Sequence, residues 1–388
     1  MALPLPAATD LEERIAAFAI EVVRPRAAAM ARGEGDGGRD LVSLAGERGL
    51  AGLLVPAADG GPGAGHDAFI RFIEAVARDC ASSAVILDVQ GSVAVEPIAV
   101  FGTPDQRRRY LPRLARGEWV GAFALSESAS GSDAAALTTR AERISGGYLL
   151  TGAKMWISNC GVADLYTVMA RTGGPGARGI SAFLVEAGWP GVLPGPPLRK
   201  MGLRGSRTGE LVLDAVEVPQ TNRLGDEGAG FRVAMAALDS GRIGISAQAV
   251  GIAQGALHAA AAHVRGCSLA SPDDAALLDE RGAARMPAAL ATLADLESMV
   301  TVARALTRHA AATCDSGEPV TREAAIAKLV ATDTCVAVAH AAVELCAPES
   351  SQEWHPAAVR LRDAKACQIY EGTNQVQRVV IARELLRA

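Results

Sequence analysis

From residue 228 to residue 388 the chain is a series of long Ala-rich stretches: Gly230 to Arg265, Leu293 to Thr313, Thr321 to Cys346 and Val359 to Ile369. A last helical stretch runs from about Asn374 to Arg387. Alanine has the highest helix propensity, and long helices joined by short turns predict an antiparallel four-helix bundle. No fixed-period repeat runs through them, which argues against a solenoid. Residues 120–227 follow another rule. Gly and Pro are frequent there, and alternation predicts strands over Tyr148 to Ser158, Leu165 to Arg171, Ile180 to Val185 and Glu210 to Val218. Turns at Ser145-Gly-Gly, Gly173-Gly-Pro-Gly and Gly188-Trp-Pro-Gly separate them, as in a small β-barrel or sandwich. Residues 1–119 return to the helical period. Asp10 and Glu13 fit a capping box, and Leu11, Ile15, Phe18 and Val22 follow helical spacing until Pro25 ends or kinks the helix. Loops are predicted at Gly33 to Gly38 and Val55 to Gly65, and helices over Ala68 to Arg78 and Ser83 to Phe101. Thr103 then caps a helix with Pro104 at its first position. The expected architecture is α+β: an N-terminal helical domain over 1–119, a central β-domain over 120–227 and a C-terminal bundle over 228–388.

Composition excludes several functions. The net charge is −5, a poor match for nucleic acid or an anionic membrane. Hydrophobic residues make up 49%, which excludes a disordered chain. The opening MALPLPAATD has no basic or apolar leader pattern, and no apolar run is read as approaching the ~18 residues of a membrane span. The seven cysteines are scattered without a C-x-x-C pair, so free thiols in a reducing, cytoplasmic setting are expected. No Cys/His group has zinc spacing, and the six histidines are dispersed, so no metal site is expected.

Local chemistry concentrates in two segments. Gly60-Gly-Pro-Gly-Ala-Gly65 lacks the Lys-Ser/Thr of a phosphate loop and reads as an exposed turn. Lys154 and Trp156 fall on one face of a predicted strand. Phe123-Ala-Leu-Ser-Glu-Ser-Ala-Ser-Gly-Ser-Asp133 packs hydroxyls and a glycine into a turn, where backbone amides can meet a carbonyl-rich ring or a phosphate. Ile369-Tyr-Glu-Gly-Thr-Asn-Gln375 sets Glu371 between two helical stretches, with Gly372 as the break and Thr373 as the N-cap. A carboxylate beside Ile369 and Tyr370 can be a desolvated general base, or simply an acid at a helix end.

These segments together resemble the acyl-CoA dehydrogenase family along nearly the whole chain. The motifs run in order: Val55-Pro with Gly60-Gly61, Phe123-Ala-Leu-Ser-Glu with Gly131-Ser-Asp133, and Thr151-Gly-Ala-Lys-Met-Trp-Ile-Ser-Asn159. Lys200-Met-Gly-Leu-Arg-Gly-Ser206, Val218-Pro219, Leu238-Asp-Ser-Gly-Arg242, Arg362-Asp-Ala-Lys365 and Tyr370-Glu-Gly-Thr373 follow.

The resemblance implies FAD held between the β-domain and the bundle of a homodimer or homotetramer. It implies α,β-dehydrogenation of an acyl thioester, on CoA or an acyl carrier protein, with an electron-transfer flavoprotein as acceptor. Glu371 matches the base that takes the α-proton while the β-hydride passes to flavin N5. The family stabilises the resulting charge through the base residue's backbone N–H and a ribityl hydroxyl. Some members carry the base just before the Arg of the L-D-x-x-R segment; that position is Gly241 here, which leaves Glu371. Phe123, Leu125, Ser126, Gly131, Ser132, Trp156, Ser158, Thr373 and Gln375 match cofactor positions. Ser132, Asp239, Arg242, Tyr370 and Gly372 match positions along the thioester.

The departures lie at the other end of the cofactor. The family's R-x-x-F-G turn, which crosses to the partner's FAD, falls on Cys267 and Ala270, and Pro287 stands where a Gln is expected. Glu344-Leu-Cys-Ala-Pro-Glu-Ser-Ser351 replaces a Gln-Gly-Gly motif near the pyrophosphate. Each lost charged hydrogen bond to phosphate is worth ~1.5–3 kcal/mol, so weakened FAD binding is expected. The alternative is a divergent member with weak or no FAD, acting as a non-redox acyl-thioester enzyme or an interaction protein.

Overall fold

The computed structural model describes residues 8–270 and 288–387. Helix α1 (Ala8–Phe18) runs through a π-helical turn (Ala19–Val23) into α2 (Arg24–Arg32). The wide turn precedes Pro25, whose missing N–H breaks one helical bond, so the proline is passed rather than being a stop. Asp10 lies within the first turn of α1 and not at its cap, since Ala8 is already helical. Helix α3 (Arg39–Glu47), which periodicity did not reveal, follows the Gly33–Gly38 loop. Helix α4 (Gly65–Asp79) buries Phe69, Phe72, Ile73 and Val76. Helix α5 (Ala81–Val89) continues through a second π turn (Gln90–Val95) into α6 (Glu96–Phe101). The Thr103–Gln106 capping box then opens α7 (Pro104–Ala115), with both reciprocal hydrogen bonds formed.

One eight-stranded sheet follows: β1 (Gly121–Ala124), β2 (Arg140–Ile144), β3 (Gly147–Ser158), β4 (Leu165–Arg171), β5 (Ile180–Glu186), β6 (Val192–Pro194), β7 (Thr208–Pro219) and β8 (Arg223–Leu224). The order is β6-β7-β3-β2-β4-β5-β8, with β1 parallel to β4. The four predicted strands are present; β1, β2, β6 and β8 were not predicted.

Helix α8 (Gly230–Ala270) is the axis of the last part, packed by α9 (Ala288–Asp315), α10 (Thr321–Leu345) and α11 (Pro356–Cys367), with α12 (Asn374–Arg387) against α10. Helix α4 packs on α8 and α9 as well, so the N-terminal part joins the bundle. Loop Lys200–Ser206 docks on α11: the Leu203 N–H donates to Asp363 Oδ1 (2.6 Å), and Gly202 lies against the Arg362 carbonyl where no Cβ fits.

Two stretches, Ala81–Phe101 and Thr321–Leu345, are long and apolar enough to cross a membrane, contrary to the sequence expectation. Their apolar windows are 78% and 50% buried within the protein, where they serve as core helices. The six cysteines with described side chains form no disulfide.

Candidate active site

Helix α11 ends at Cys367 and α12 starts at Asn374, and Glu371 stands in the turn between them with φ 57°. A left-handed conformation at a non-glycine residue costs of order 1–3 kcal/mol and persists where its surroundings enforce it. Here Gln377 Nε2 donates to the carbonyls of Glu371 (3.2 Å) and Gly372 (2.9 Å). Lys328 Nζ donates to the Gly372 carbonyl and to Asn374 Oδ1, both at 2.8 Å. Thr373 caps α12, its Oγ1 accepting from the Val376 N–H (3.2 Å).

This turn aims the Glu371 carboxylate at α8. A Cβ on Gly241 would lie 2.6 Å from Glu371 Oε2, so the glycine leaves the acid in this position without displacement. Glu371 Oε2 is buried and accepts no hydrogen bond. Burial pushes the carboxyl up to about 7, against the pull of Arg242 and Lys328. The Glu371 backbone N–H has no acceptor among the described residues. Arg242 is buried and donates to Asp239 Oδ1 (2.6 Å), and Thr321 Oγ1 donates to Asp239 Oδ2 (2.6 Å). Burial raises Asp239 as well. Both its carboxylate oxygens are engaged, unlike those of Glu371.

An apolar cluster lies beside this turn. Val85, Val89, Val93 and Ala237 pack together, with Phe123 from β1 and Tyr370 against them. Three polar groups follow the same face of α8. Asp88 Oδ1 meets Gly244, accepts from Ser92 Oγ (3.0 Å), and is pushed well above the carboxylate range by burial. Tyr370 Oη donates to Gln248 Oε1 (2.6 Å). Positions 241, 244 and 248 rise along one face, so Asp88 meets α8 roughly 5 Å along the helix from the point that Glu371 faces. Sequence reasoning missed Asp88, Lys328, Gln248 and Gln377; the available signal was one polar residue inside an apolar helical run.

The β-domain residues form a second group. Met155 N–H donates to the Ser126 carbonyl (2.9 Å), and Lys154 Nζ donates to the Leu125 carbonyl (3.1 Å), which ties the Phe123–Glu127 segment to β3. Lys154 and Trp156 do not share a face. A bulge between Lys154 and Ile157 and a φ of 60° at Trp156 leave Lys154 at 0% exposure and Trp156 at 53%. Gly131 has open space around it, and Ser132 is exposed. The hydroxyls of Ser126, Ser132 and Ser158 bond no protein group among the described residues. An exposed indole on strained backbone, unengaged hydroxyls at Ser126, Ser132 and Ser158 and a half-buried Phe123 are the chemistry that fits a large planar cofactor with carbonyl acceptors. Phe123 from this side and Tyr370 beside Glu371 both pack against the Val85, Val89, Val93 and Ala237 cluster, which lies between them. Gln375 is exposed while its neighbours Asn374 and Gln377 are buried. The stretch from Cys267 to Pro272, and Pro287, lie outside the residues described with side chains.

Comparisons with known proteins cover the whole arrangement. Residues 6–118, 122–216 and 228–386 match the N-terminal, middle and C-terminal domains of acyl-CoA dehydrogenase. An acyl-CoA dehydrogenase of Bacillus subtilis is 43% identical over 347 residues, 89% of each chain. The structure of butyryl-CoA dehydrogenase from Megasphaera elsdenii superposes with a TM-score of 0.90 at 36% identity, over 98% of both chains. A chain in a structure of the electron transferring flavoprotein of Acidaminococcus fermentans does so with a TM-score of 0.91 at 36% identity, over 100% of both.

Proposed function

The chain belongs to the acyl-CoA dehydrogenase family, oxidoreductases acting on CH–CH bonds, and from that premise we propose that it desaturates a short-chain acyl-CoA between the α- and β-carbons, Glu371 taking the α-proton. The observation that carries this reading is the buried, unpartnered Glu371 carboxylate, poised at about 7 and facing the open side of Gly241. A general base works best with a pKa near the working pH, and burial supplies that here. The thioester carbonyl gathers charge as the α-proton leaves. The free Glu371 N–H is the donor for it, held in place by the left-handed turn and its Gln377 and Lys328 struts. Phe123, Val89, Val93 and Tyr370 keep water from the carboxylate.

Ser126, Ser132, Trp156 and Ser158 would hold FAD, which when bound supplies the acceptor for the β-hydride. The short-chain reading rests on the polar wall of Asp88, about one helical turn along α8 from the base, and Gln248, about two turns along. It agrees with the butyryl-CoA activity named for the Megasphaera enzyme. Exposed apolar side chains on α9 (Met299, Val302) and α12 (Val379, Leu385, Leu386) support a homodimer or homotetramer. The Acidaminococcus structure supports an electron-transfer flavoprotein as acceptor. At the diphosphate end, exposed Glu344 and Glu349 support a loose grip on FAD, which comparison of FAD and FMN affinities would measure.

The test is anaerobic addition of butyryl-CoA and octanoyl-CoA to the purified flavoprotein. Butyryl-CoA should bleach the flavin absorbance faster. Bleaching by neither would sink the dehydrogenase reading, and preference for octanoyl-CoA would sink the short-chain one.

A further inference from the structure

Three side chains far apart in sequence meet beside α8 at Ser240. His66 lies in the first turn of α4, Glu96 at the start of α6 and Cys314 in the last turn of α9. His66 Nε2 is 3.5 Å from Glu96 Oε2 and 3.6 Å from Cys314 Sγ, and the three ligand atoms all lie within 4.8 Å of one another. Ser240 Oγ is 3.1 Å from the same Nε2.

The second observation is an oxygen without a hydrogen bond. Glu96 Oε2 is buried and accepts no hydrogen bond. The third is the orientation of the histidine. Asp315 Oδ1 is 3.1 Å from His66 Nδ1, and the same carboxylate accepts the backbone N–H groups of His66 (2.7 Å) and Asp67 (3.0 Å). A carboxylate fixed in this way accepts the Nδ1–H hydrogen bond, and in the neutral ring the Nε2 lone pair then faces Ser240, Glu96 and Cys314. This is the outer-shell arrangement that accompanies metal-bound histidine.

The spacing fits a tetrahedral ion. Bonds of about 2.0–2.1 Å to nitrogen, 2.0–2.2 Å to oxygen and 2.3 Å to sulfur set ligand separations of roughly 3.4 Å (N to O) and 3.6 Å (N to S). The two recorded edges match both. We propose that His66, Glu96 and Cys314 bind a borderline-soft divalent cation of the zinc class, with the fourth position open toward Ser240. Thiolate and imidazole with one carboxylate select zinc over magnesium or calcium, which prefer all-oxygen sets. The bound ion would fasten α4 and α6 of the N-terminal part to the end of α9. The competing occupant is a proton on His66, shared between Asp315 and Glu96.

The test treats the intact flavoprotein with a chelator, dialyses it against micromolar zinc chloride, and measures zinc per chain by atomic emission. The expected result is about one zinc per chain in the parent and at least a tenfold loss in Cys314→Ser and His66→Gln. Alkylation of Cys314, read by peptide mass spectrometry in the unaltered parent, should slow about tenfold with zinc present. That readout needs no variant to fold. Equal zinc in parent and variants, or no retained zinc and unchanged alkylation in the parent, overturns the site and leaves an ion-paired imidazolium.

Discussion

Glu127 and Glu371 are both buried carboxylates, and the molecule treats them in opposite ways. Glu127 Oε1 accepts from Lys154 Nζ (2.8 Å), the Thr139 N–H (2.9 Å) and Thr139 Oγ1 (2.6 Å). Its Oε2 accepts from the Thr138 N–H and Oγ1, both at 2.7 Å. Burial pushes this carboxyl up, but Lys154 and the threonine donors outweigh it and hold it at about 2. Glu371 has no donor at Oε2 and sits at about 7. Saturation of a buried charge makes a clasp, here closing the Leu125–Thr139 segment onto β3. Leaving one unsaturated makes a reagent, since its proton affinity is available to a ligand.

The largest effect that divides the two is chemical. Glu371→Gln keeps the shape and removes the proton acceptor. Flavin reduction by butyryl-CoA should fall about a thousandfold, within the span for loss of a general base. Glu127→Gln should act through cofactor retention instead, with flavin-loaded protein keeping most of its rate. A Glu371→Gln enzyme working at more than a few per cent of the parent rate would make Glu371 another clasp, and Asp239 the next acid to test.

The second effect is on folding. Lys154→Met strands the Glu127 charge, and breaking a buried pair by removing one partner costs about 3–5 kcal/mol. The thermal midpoint of Lys154→Met should drop by many degrees, while that of Glu371→Gln does not drop at neutral pH. Equal midpoints for Lys154→Met and parent would mean that the clasp is not structural.

How much of this contrast is legible in the chain follows from its physical causes. The long helices declare themselves through alanine, and the capping box at Thr103 through three residues. Helix α3 does not, being nine residues between glycine-rich turns. Strands β1, β6 and β8 have four, three and two residues, too few for alternation to show. Glu371 is visible because a glycine and an N-cap flank it. The family resemblance, however, carries most of the site, since no local rule separates a base from an exposed helix-end acid. The opposed faces of Lys154 and Trp156 depend on a positive φ at a bulky residue, which no propensity announces. Asp88 and Lys328 read as interruptions of apolar helices until the fold aims them at one place. The His66, Glu96 and Cys314 group spans 248 residues between its outer members and has no spacing to recognise.

The third prediction uses pH, because the two shifts have opposite signs. Glu371 is raised from 4.5 to about 7, so the native state holds a proton that the unfolded chain has lost. Its stabilising contribution is full below pH 4.5 and disappears as pH rises through 7. Glu127 is lowered to about 2, so its contribution is full above pH 4.5 and disappears as pH falls toward 2. Each window spans at most about 3 kcal/mol, at 1.36 kcal/mol per unit. Between pH 5 and pH 8 the stability of Glu371→Gln should gain on the parent by about 1–3 kcal/mol by this linkage. Between pH 4.5 and pH 3 the parent should lose stability that Glu127→Gln lacks. Parallel curves in either window, measured by urea denaturation, would erase the distinction drawn for that residue.

The smallest effect tests whether the space around Glu371 matters as much as its missing donors. A Gly241 Cβ would lie 2.6 Å from Glu371 Oε2 and 3.0 Å from Val93 Cγ1. The carboxylate is the far end of a flexible side chain and can turn away, so Gly241→Ala should fold with a midpoint close to the parent's. Turning away moves the acceptor oxygen from the path of the α-proton, and a displacement of about 1 Å can cost up to 10²-fold in rate. A loss of about tenfold in kcat, with KM for butyryl-CoA changed less, is expected. The pH profile should also shift, because a rotated carboxylate is no longer held in the same apolar surroundings. The control on the clasp is Thr139→Val, which removes one of five donors from Glu127 and should leave kcat alone. If Gly241→Ala leaves kcat and its pH profile unchanged, the carboxylate has latitude, and missing donors alone explain its chemistry. If both change, the base depends on an unfilled volume on α8 as well as on an unfilled hydrogen bond.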